Sequence, residues 1–195
     1  EWSSTTITSS ADGIYSVYAK DLDNDGDMDI MSASANDDKI AWYENNGAGD
    51  PSFTARTIAT TADGAASIFA ADIDGDGDQD IISASLNDNT VAWYENGLAE
   101  FGDPSFSSAN ITTSFDAAAQ ILTVDIDNDG DLDVLGAAYA DDEIAWFENN
   151  GASDPSFTSR TIAMGTSSVN GAWSVYAADM DSDGDIAVSY THLTL

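Results

Sequence analysis

The sequence predicts an all-β fold, a β-propeller fragment, on three observations. A pattern of a little over 50 residues recurs along the chain. Each period divides into four short runs rich in β-branched and aromatic residues. Asn, Asp, Gly and Pro separate those runs. Four strands in a unit of that length is the arithmetic of one propeller blade. The 195 residues then hold three full four-stranded blades, part of a fourth, and a remnant of a preceding one.

The strands follow in order within the first period. Ser16–Ala19, Asp29–Ala35, Lys39–Glu44 and Ser52–Ala59 are the predicted strands, and both phases of their alternation carry apolar residues. That double apolarity fits strands covered on both sides by neighbouring blades. The landmark IAWYENNGAGDPSF from Ile40 returns as VAWYENGLAEFGDPSF from Val91 and IAWFENNGASDPSF from Ile144. Repeats are expected at about 14–60, 65–113, 118–164 and 172–187, together a propeller fragment over 1–187. EWSSTTI at the start matches SFTARTI from Ser52, so the chain is expected to open inside an earlier repeat and to be cut from a longer protein.

Composition narrows the partners. Thirty-six acidic residues against four Lys plus Arg give a formal net charge of −32, which opposes nucleic acid or an anionic membrane as the main partner. A cation is the natural one. The acid is also concentrated, since four clusters hold 19 of the 30 aspartates. With no Cys, neither a disulfide framework nor a thiolate metal site exists. No run of about 18 apolar residues occurs, so no membrane insertion is expected.

The clusters begin at Asp21, Asp72, Asp125 and Asp179, spaced by 51, 53 and 54 residues. The first reads DLDNDGDMD, with carboxylates at positions 1, 3, 5 and 9 that can converge only around something that offsets their repulsion. Ca²⁺ takes six to eight oxygen ligands and accepts mixed carboxylate and carbonyl shells. Side-chain ligation is assigned to Asp21, Asp23, Asp25 and Asp29, with the position 7 carbonyl of Asp27 as a further donor. Asp72, Asp74, Asp76, Asp78 and Asp80 form the second such set, and Asp125, Asp127, Asp129, Asp131 and Asp133 the third. Gly26, Gly77, Gly130 and Gly184 all fall at position 6, where a sharp turn needs φ values that other residues resist. The fourth loop offers Asp179, Asp181, Asp183 and Asp185 but has Ala187 at position 9, so three sites are expected intact and the fourth incomplete.

Competing chemistries fit less well. Mg²⁺ keeps its waters and seldom uses an all-protein cage, and Zn²⁺ wants His or Cys. An EF-hand loop needs Glu at position 12, where Ser32, Ser83 and Gly136 stand, and a helix after it, where IMSASA, IISASL and VLGAAY read as strands. In-register repetition with glycine in phase also speaks against a merely solvated acidic turn. Each cluster is read as a calcium staple between two strands of one blade.

DxDxDGDxD followed by an apolar strand, then AWYEN and NGxxDPSF, resembles the FG-GAP or VCBS repeat family, whose Ca²⁺-binding blades also build the integrin α-subunit propeller. The resemblance covers essentially Glu1 to Asp185. It implies a propeller, usually of seven blades, an extracellular or cell-surface location, and a role in adhesion, in carbohydrate or protein recognition, or as part of a secreted enzyme. The string VSYTHLTL, Val188 to Leu195, has no counterpart in the other repeats and resembles a translated sequencing adapter. It is expected to be non-native, which would leave His192 without a role.

Three function classes remain. The first is an adhesion or recognition module whose partner is an extracellular protein or glycan. Trp42, Trp93 and Trp146, with Tyr43, Tyr94 and Phe147, recur once per blade and could stack on sugar rings, but an aromatic locked to the repeat is read first as inter-blade core. Insertions at Gly97–Asp103 and Met164–Trp173 break the repeat and mark candidate binding loops. The second class is part of a polysaccharide-degrading lyase or hydrolase. It lacks a nucleophile and base, because no G-x-S-x-G exists and Lys20, Lys39, Arg56 and Arg160 are scattered, so the chain is read as no enzyme. The third is a calcium-rigidified spacer in a large surface protein.

Overall fold

The computed structural model describes residues 4–97, 104–165 and 171–192. Strands β1 (Ile14–Lys20), β2 (Asp29–Ser34), β3 (Lys39–Asn45) and β4 (Phe53–Ala59) form one antiparallel meander in that order. The same sheet is built twice more, from β5 (Ala65–Ala71), β6 (Asp80–Ser85), β7 (Thr90–Asn96) and β8 (Phe106–Thr112), then from β9 (Ala118–Val124), β10 (Asp133–Ala138), β11 (Glu143–Asn149) and β12 (Phe157–Met164). A two-stranded sheet of β13 (Ala172–Ala178) and β14 (Ala187–His192) follows. The described residues contain no helix, and the chain is an all-β propeller fragment of three blades and half of a fourth. Observed and predicted strand limits agree to within two residues, because Asp loops and Gly-containing turns punctuate each period.

The blades stack through their first strands. β1, β5, β9 and β13 lie side by side, and three cores fill the gaps between consecutive sheets. Between blades 1 and 2, Leu22, Met31, Ile40 and Trp42 meet Ala65, Ile68, Ile81 and Tyr94. Between blades 2 and 3, Ile82, Val91 and Trp93 meet Phe115, Ile121, Val134 and Phe147. Leu135, Ile144 and Trp146 continue onto Val175 and Val188. The indole of one blade therefore points to the next, and the Tyr or Phe beside it points to the one before. β6 and β10 are buried at every position, which is why both phases of their sequence are apolar.

Three local features position the rest. Each first strand has a bulge near its start, at Tyr15, Ala66, Ala119 and Trp173. The opposite ends of those strands carry the Asp loops, about 20 Å away for seven residues of extended chain. Ser4–Gly13 contains no strand, and Thr5, Ile7 and Thr8 lie with Ile14, Val17 and Tyr43 around one cleft. At the other end Val188–His192 continues β14, pairing Val188 with Ala177 and His192 with Ala172. Its residues alternate between exposed and half-buried, unlike β2, β6 and β10. Of the two insertions, 98–103 and 166–170 lie outside the described residues.

Candidate metal centre

Each Asp-rich loop joins the first strand of a blade to the second and curls by two left-handed residues. Position 6 is Gly26, Gly77, Gly130 or Gly184, at φ between 96° and 101°. Any side chain would be strained there, which explains the invariance of glycine. Position 4 is Asn24, Gly75, Asn128 or Ser182, with φ of 59°, 76°, 61° and 64°. Asn is among the few residues that visit this region readily.

With the backbone so turned, its amides point inward onto the carboxylates. Oδ2 of Asp21, Asp72, Asp125 and Asp179 accepts from the amide of the position 6 glycine at 2.9–3.0 Å. Oδ1 of Asp23, Asp74 and Asp127 accepts from position 5 at 3.2–3.3 Å. Asp25, Asp76, Asp129 and Asp183 accept from position 7 at 2.9–3.0 Å. These short-range bonds fix the loop but leave each carboxylate further lone pairs.

Position 9 differs. Asp29, Asp80 and Asp133 are buried, and both oxygens of each accept backbone amides. Oδ2 takes the amide of Leu22, Ile73 or Ile126 at position 2, each at 3.1 Å. Oδ1 takes the amide of Asn45, Asn96 or Asn149, at the end of the third strand, each at 2.8 Å. The ninth carboxylate thus ties the start of the loop to the far side of its own sheet. Ala187 in the fourth loop supplies no such tie.

Oxygen atoms converge in every loop. In the first and third they belong to Asp21, Asp23 and Asp29, and to Asp125, Asp127 and Asp133; in the second and fourth to Asp72, Asp74 and Asp76, and to Asp179, Asp181 and Asp183. Within each group the three atoms lie within 4.8 Å of one another, close enough to hold a metal ion. Asp25, Asp129 and Asp80 stand outside these groups, as do Asp27, Asp78, Asp131 and Asp185 at position 7. The position 7 side chains turn elsewhere. Asp27 and Asp131 lie over Gly47 and Gly151, where a Cβ would collide with the carboxylate, and Asp78 accepts from Asn24 of the preceding loop at 2.9 Å.

The electrostatics are those of a site awaiting positive charge. Burial pushes Asp80 up to about 7 and Asp133 up to about 6, against the amides that pull them down. Asp23 is raised to about 6 by burial and by the neighbouring Asp29. Burial likewise raises Asp29 and Asp74. Oδ1 of Asp21 is buried with no hydrogen-bond partner, an orphan that a cation would satisfy. All-oxygen donors, like charges in contact and an orphaned oxygen fit a hard divalent ion.

Sequence reasoning placed the tryptophans correctly as packing residues in two blades, where Trp42 and Trp93 are buried between sheets. Arg56 sits over Trp42 at 5.3 Å and pairs with Glu44 at 2.6 Å, and Arg160 repeats the stack on Trp146 with Glu148. It assigned nothing to the Asn that closes each third strand. Asn96 and Asn149 are buried, and their side-chain amides donate to the carbonyls of Gln79 and Leu132 at position 8, each at 3.1 Å. An asparagine repeated in phase at the end of every third strand was the available signal.

No curated protein matches the chain. The model of the FG-GAP-like repeat matches it three times, over residues 21–83, 72–136 and 125–188. Each match opens on position 1 of one Asp loop and runs through the next loop into the strand after it, so the repeated unit and the proposed metal loops coincide. Over those residues the chain belongs to the FG-GAP-like repeat family.

Proposed function

We propose that the chain is a calcium-binding propeller module of the cell exterior, acting in adhesion or in recognition of a protein or glycan. The observation that carries the calcium reading is the convergence of three carboxylates in every repeat. Asp21, Asp23 and Asp29 would hold the first ion, Asp72, Asp74 and Asp76 the second, and Asp125, Asp127 and Asp133 the third, with the remaining loop aspartates and carbonyls within the same turn. Calcium bound there offsets carboxylate repulsion and fixes the turn between two strands. Because the loop is poorly formed in the unfolded chain, binding free energy becomes folding free energy. Extracellular modules bind calcium with dissociation constants of roughly 10⁻⁴–10⁻³ M.

Calorimetric titration with CaCl₂, and with MgCl₂ as the control, tests this. One ion per intact loop and much weaker Mg²⁺ binding are expected. Absence of heat from a sample with a folded circular dichroism spectrum would refute it.

Support for recognition comes from the end of the strands opposite the loops. There Tyr15, Ser16, Ser67, Gln120, Trp173 and Ser174 surround a cleft of about 300 Å³. Tyr15 and Trp173 are exposed, and Trp173 meets Tyr139 edge to face at 5.8 Å. Aromatic rings beside hydroxyl and amide groups suit a sugar or a polar peptide. Signal on a glycan array would separate this reading from that of a calcium-stiffened spacer. Cleavage of an acidic polysaccharide would favour the lyase or hydrolase reading instead. Localisation at the cell surface, and the non-native origin of 188–195, stand as parts of the same proposal. Finding VSYTHLTL encoded at the source locus would overturn the latter.

A further inference from the structure

The buried aspartates at position 9 do not stand alone. Asn96, at the end of β7, donates its backbone amide to Asp80 Oδ1 at 2.8 Å and its side-chain amide to the carbonyl of Leu22 at 3.1 Å, across the boundary into blade 1. The amide of Leu22 in turn donates to Asp29 Oδ2 at 3.1 Å. One blade further on, Asn149 donates to Asp133 Oδ1 at 2.8 Å and to the carbonyl of Ile73 at 2.9 Å, and the Ile73 amide donates to Asp80 Oδ2 at 3.1 Å. Read end to end, the path runs Asp29, Leu22, Asn96, Asp80, Ile73, Asn149, Asp133. Every link is a hydrogen bond, and both asparagines are fully enclosed.

We propose that Asn96 and Asn149 are positioning residues that couple the metal loops of neighbouring blades, so that the first three loops fill cooperatively. This rests on the calcium reading above. Leu22 and Ile73 are position 2 of their loops, held between the ligand-bearing first and third positions. Loading one loop fixes the two peptide groups that flank position 2, and the asparagine on the carbonyl of the second passes the constraint to the carboxylate of the next blade. Buried amides of low local dielectric polarise along such a chain, and an asparagine side chain has one planar arrangement that satisfies both of its carbonyl acceptors. Asn96 and Asn149 are thereby placed to sense a neighbour's metal without touching it. A second bridge, from Asn24 to Asp78, reinforces the first pair of loops. Gly75, which has no side chain, occupies the equivalent position in the second loop, so the Asn149 path is the described link between loops two and three.

Calcium titration of the whole chain, followed at the amide resonances of Gly26, Gly77 and Gly130, reads each loop separately. In the parent protein the three curves should be steeper than independent binding. Asp74→Asn, which disables the middle loop and leaves both asparagines in place, should weaken calcium at Gly26 and Gly130 about fivefold or more, the lower range of measured couplings. Asn149→Ala should abolish the dependence of Gly130 on the middle loop yet keep that of Gly26; Asn96→Ala, which leaves the bridge from Asn24 to Asp78, should weaken the dependence of Gly26 and keep that of Gly130, and Asn96→Ala combined with Asp78→Ala should abolish it. A residue that served only stability would weaken all three loops alike. If Asp74→Asn moves Gly26 and Gly130 by less than twofold while they still bind calcium, the coupling is refuted and the calcium sites survive. If no glycine responds to calcium in the parent, the calcium reading fails and the coupling with it.

Discussion

Serine at position 136 should destabilise blade 3 even though blades 1 and 2 both carry serine there. In those blades Ser32 and Ser83 sit within 3.2 and 3.4 Å of the hydroxyls of Tyr43 and Tyr94. The corresponding residues in blade 3 are Gly136 and Phe147, which removes donor and acceptor together, an exchange that is nearly neutral because no buried polar group is orphaned. Phe115 fills the space, where Ala62 stands one repeat earlier, and meets Phe147 edge to face at 5.4 Å. A Cβ on Gly136 would approach Phe115 Cε1 to 2.7 Å and Cζ to 3.3 Å. Overpacking of that kind costs about 1–3 kcal/mol, and the new hydroxyl would add a buried group with no partner. Phe115→Ala alone should cost roughly 3–5 kcal/mol through cavity formation. In the Phe115→Ala background, however, Gly136→Ser should lose the steric part of its cost and keep only that of the unpartnered hydroxyl, about 1–3 kcal/mol at most, which adding Phe147→Tyr should recover by rebuilding the set of blade 2. Urea unfolding of the calcium-saturated chain, followed by tryptophan fluorescence, gives the cycle. A Gly136→Ser penalty of similar size in both backgrounds would refute steric exclusion by Phe115.

In the second loop, loss of the ninth carboxylate should act on folding and loss of the fifth on calcium. Asp80→Ala strands the buried amides of Ile73 and Asn96 and should cost roughly 2–6 kcal/mol even in chelator, whereas Asp76→Ala should leave the chelated midpoint nearly unchanged and weaken calcium at the second loop; equal midpoints for the two variants in EDTA would contradict this. The carboxyls of Asp23, Asp80 and Asp133 are raised to between about 6 and 7, so the folded chain takes up protons before the unfolded one. Metal-free stability should therefore rise as pH falls from about 7 toward 4, while calcium affinity at the first and third loops falls across the upper part of that window as protons compete for Asp23 and Asp133. Calcium affinity that stays flat from pH 8 to 5 would overturn the assignment. Ala117 holds φ of 54° where Gly13, Gly64 and Gly171 stand in the other repeats. Ala117→Gly should raise stability by about 0.5–1 kcal/mol, the left-handed penalty less the chain entropy that glycine adds, and thermal melts would show it.

What could be read from the sequence was whatever repeats in phase. The strand limits, the position 6 glycines and the packing of Trp42 and Trp93 all follow from spacing and residue type within one period. Contacts between periods left weaker marks. Asn96 reaches Leu22 across 74 positions, and nothing in the local pattern distinguishes it from the Asn that follows it in two of the three repeats. Nor did counting carboxylates reveal that position 9 spends both oxygens on backbone amides, or that Asp27 turns onto Gly47. Those outcomes depend on burial and on which backbone groups need acceptors, and both are properties of stacked sheets.

The departures from exact repetition have a consequence for assembly of the fold. Where Gly13 and Gly64 stand, an added Cβ would strike Asn36 and Asn87; where Ala117 stands, the facing residue is Ala140. Together with Phe115 and Gly136, this gives the boundary between the second and third blades a different lock from the one before it. A chain of interchangeable blades could pair each sheet with the wrong neighbour, or with its counterpart in a second molecule, at little cost. Here a slip by one period would bring Phe115, in place of Ala62, against Met31, Ile40 and Trp42 of the first blade. Small, matched irregularities thus number the blades, and their order is written into the seams between them.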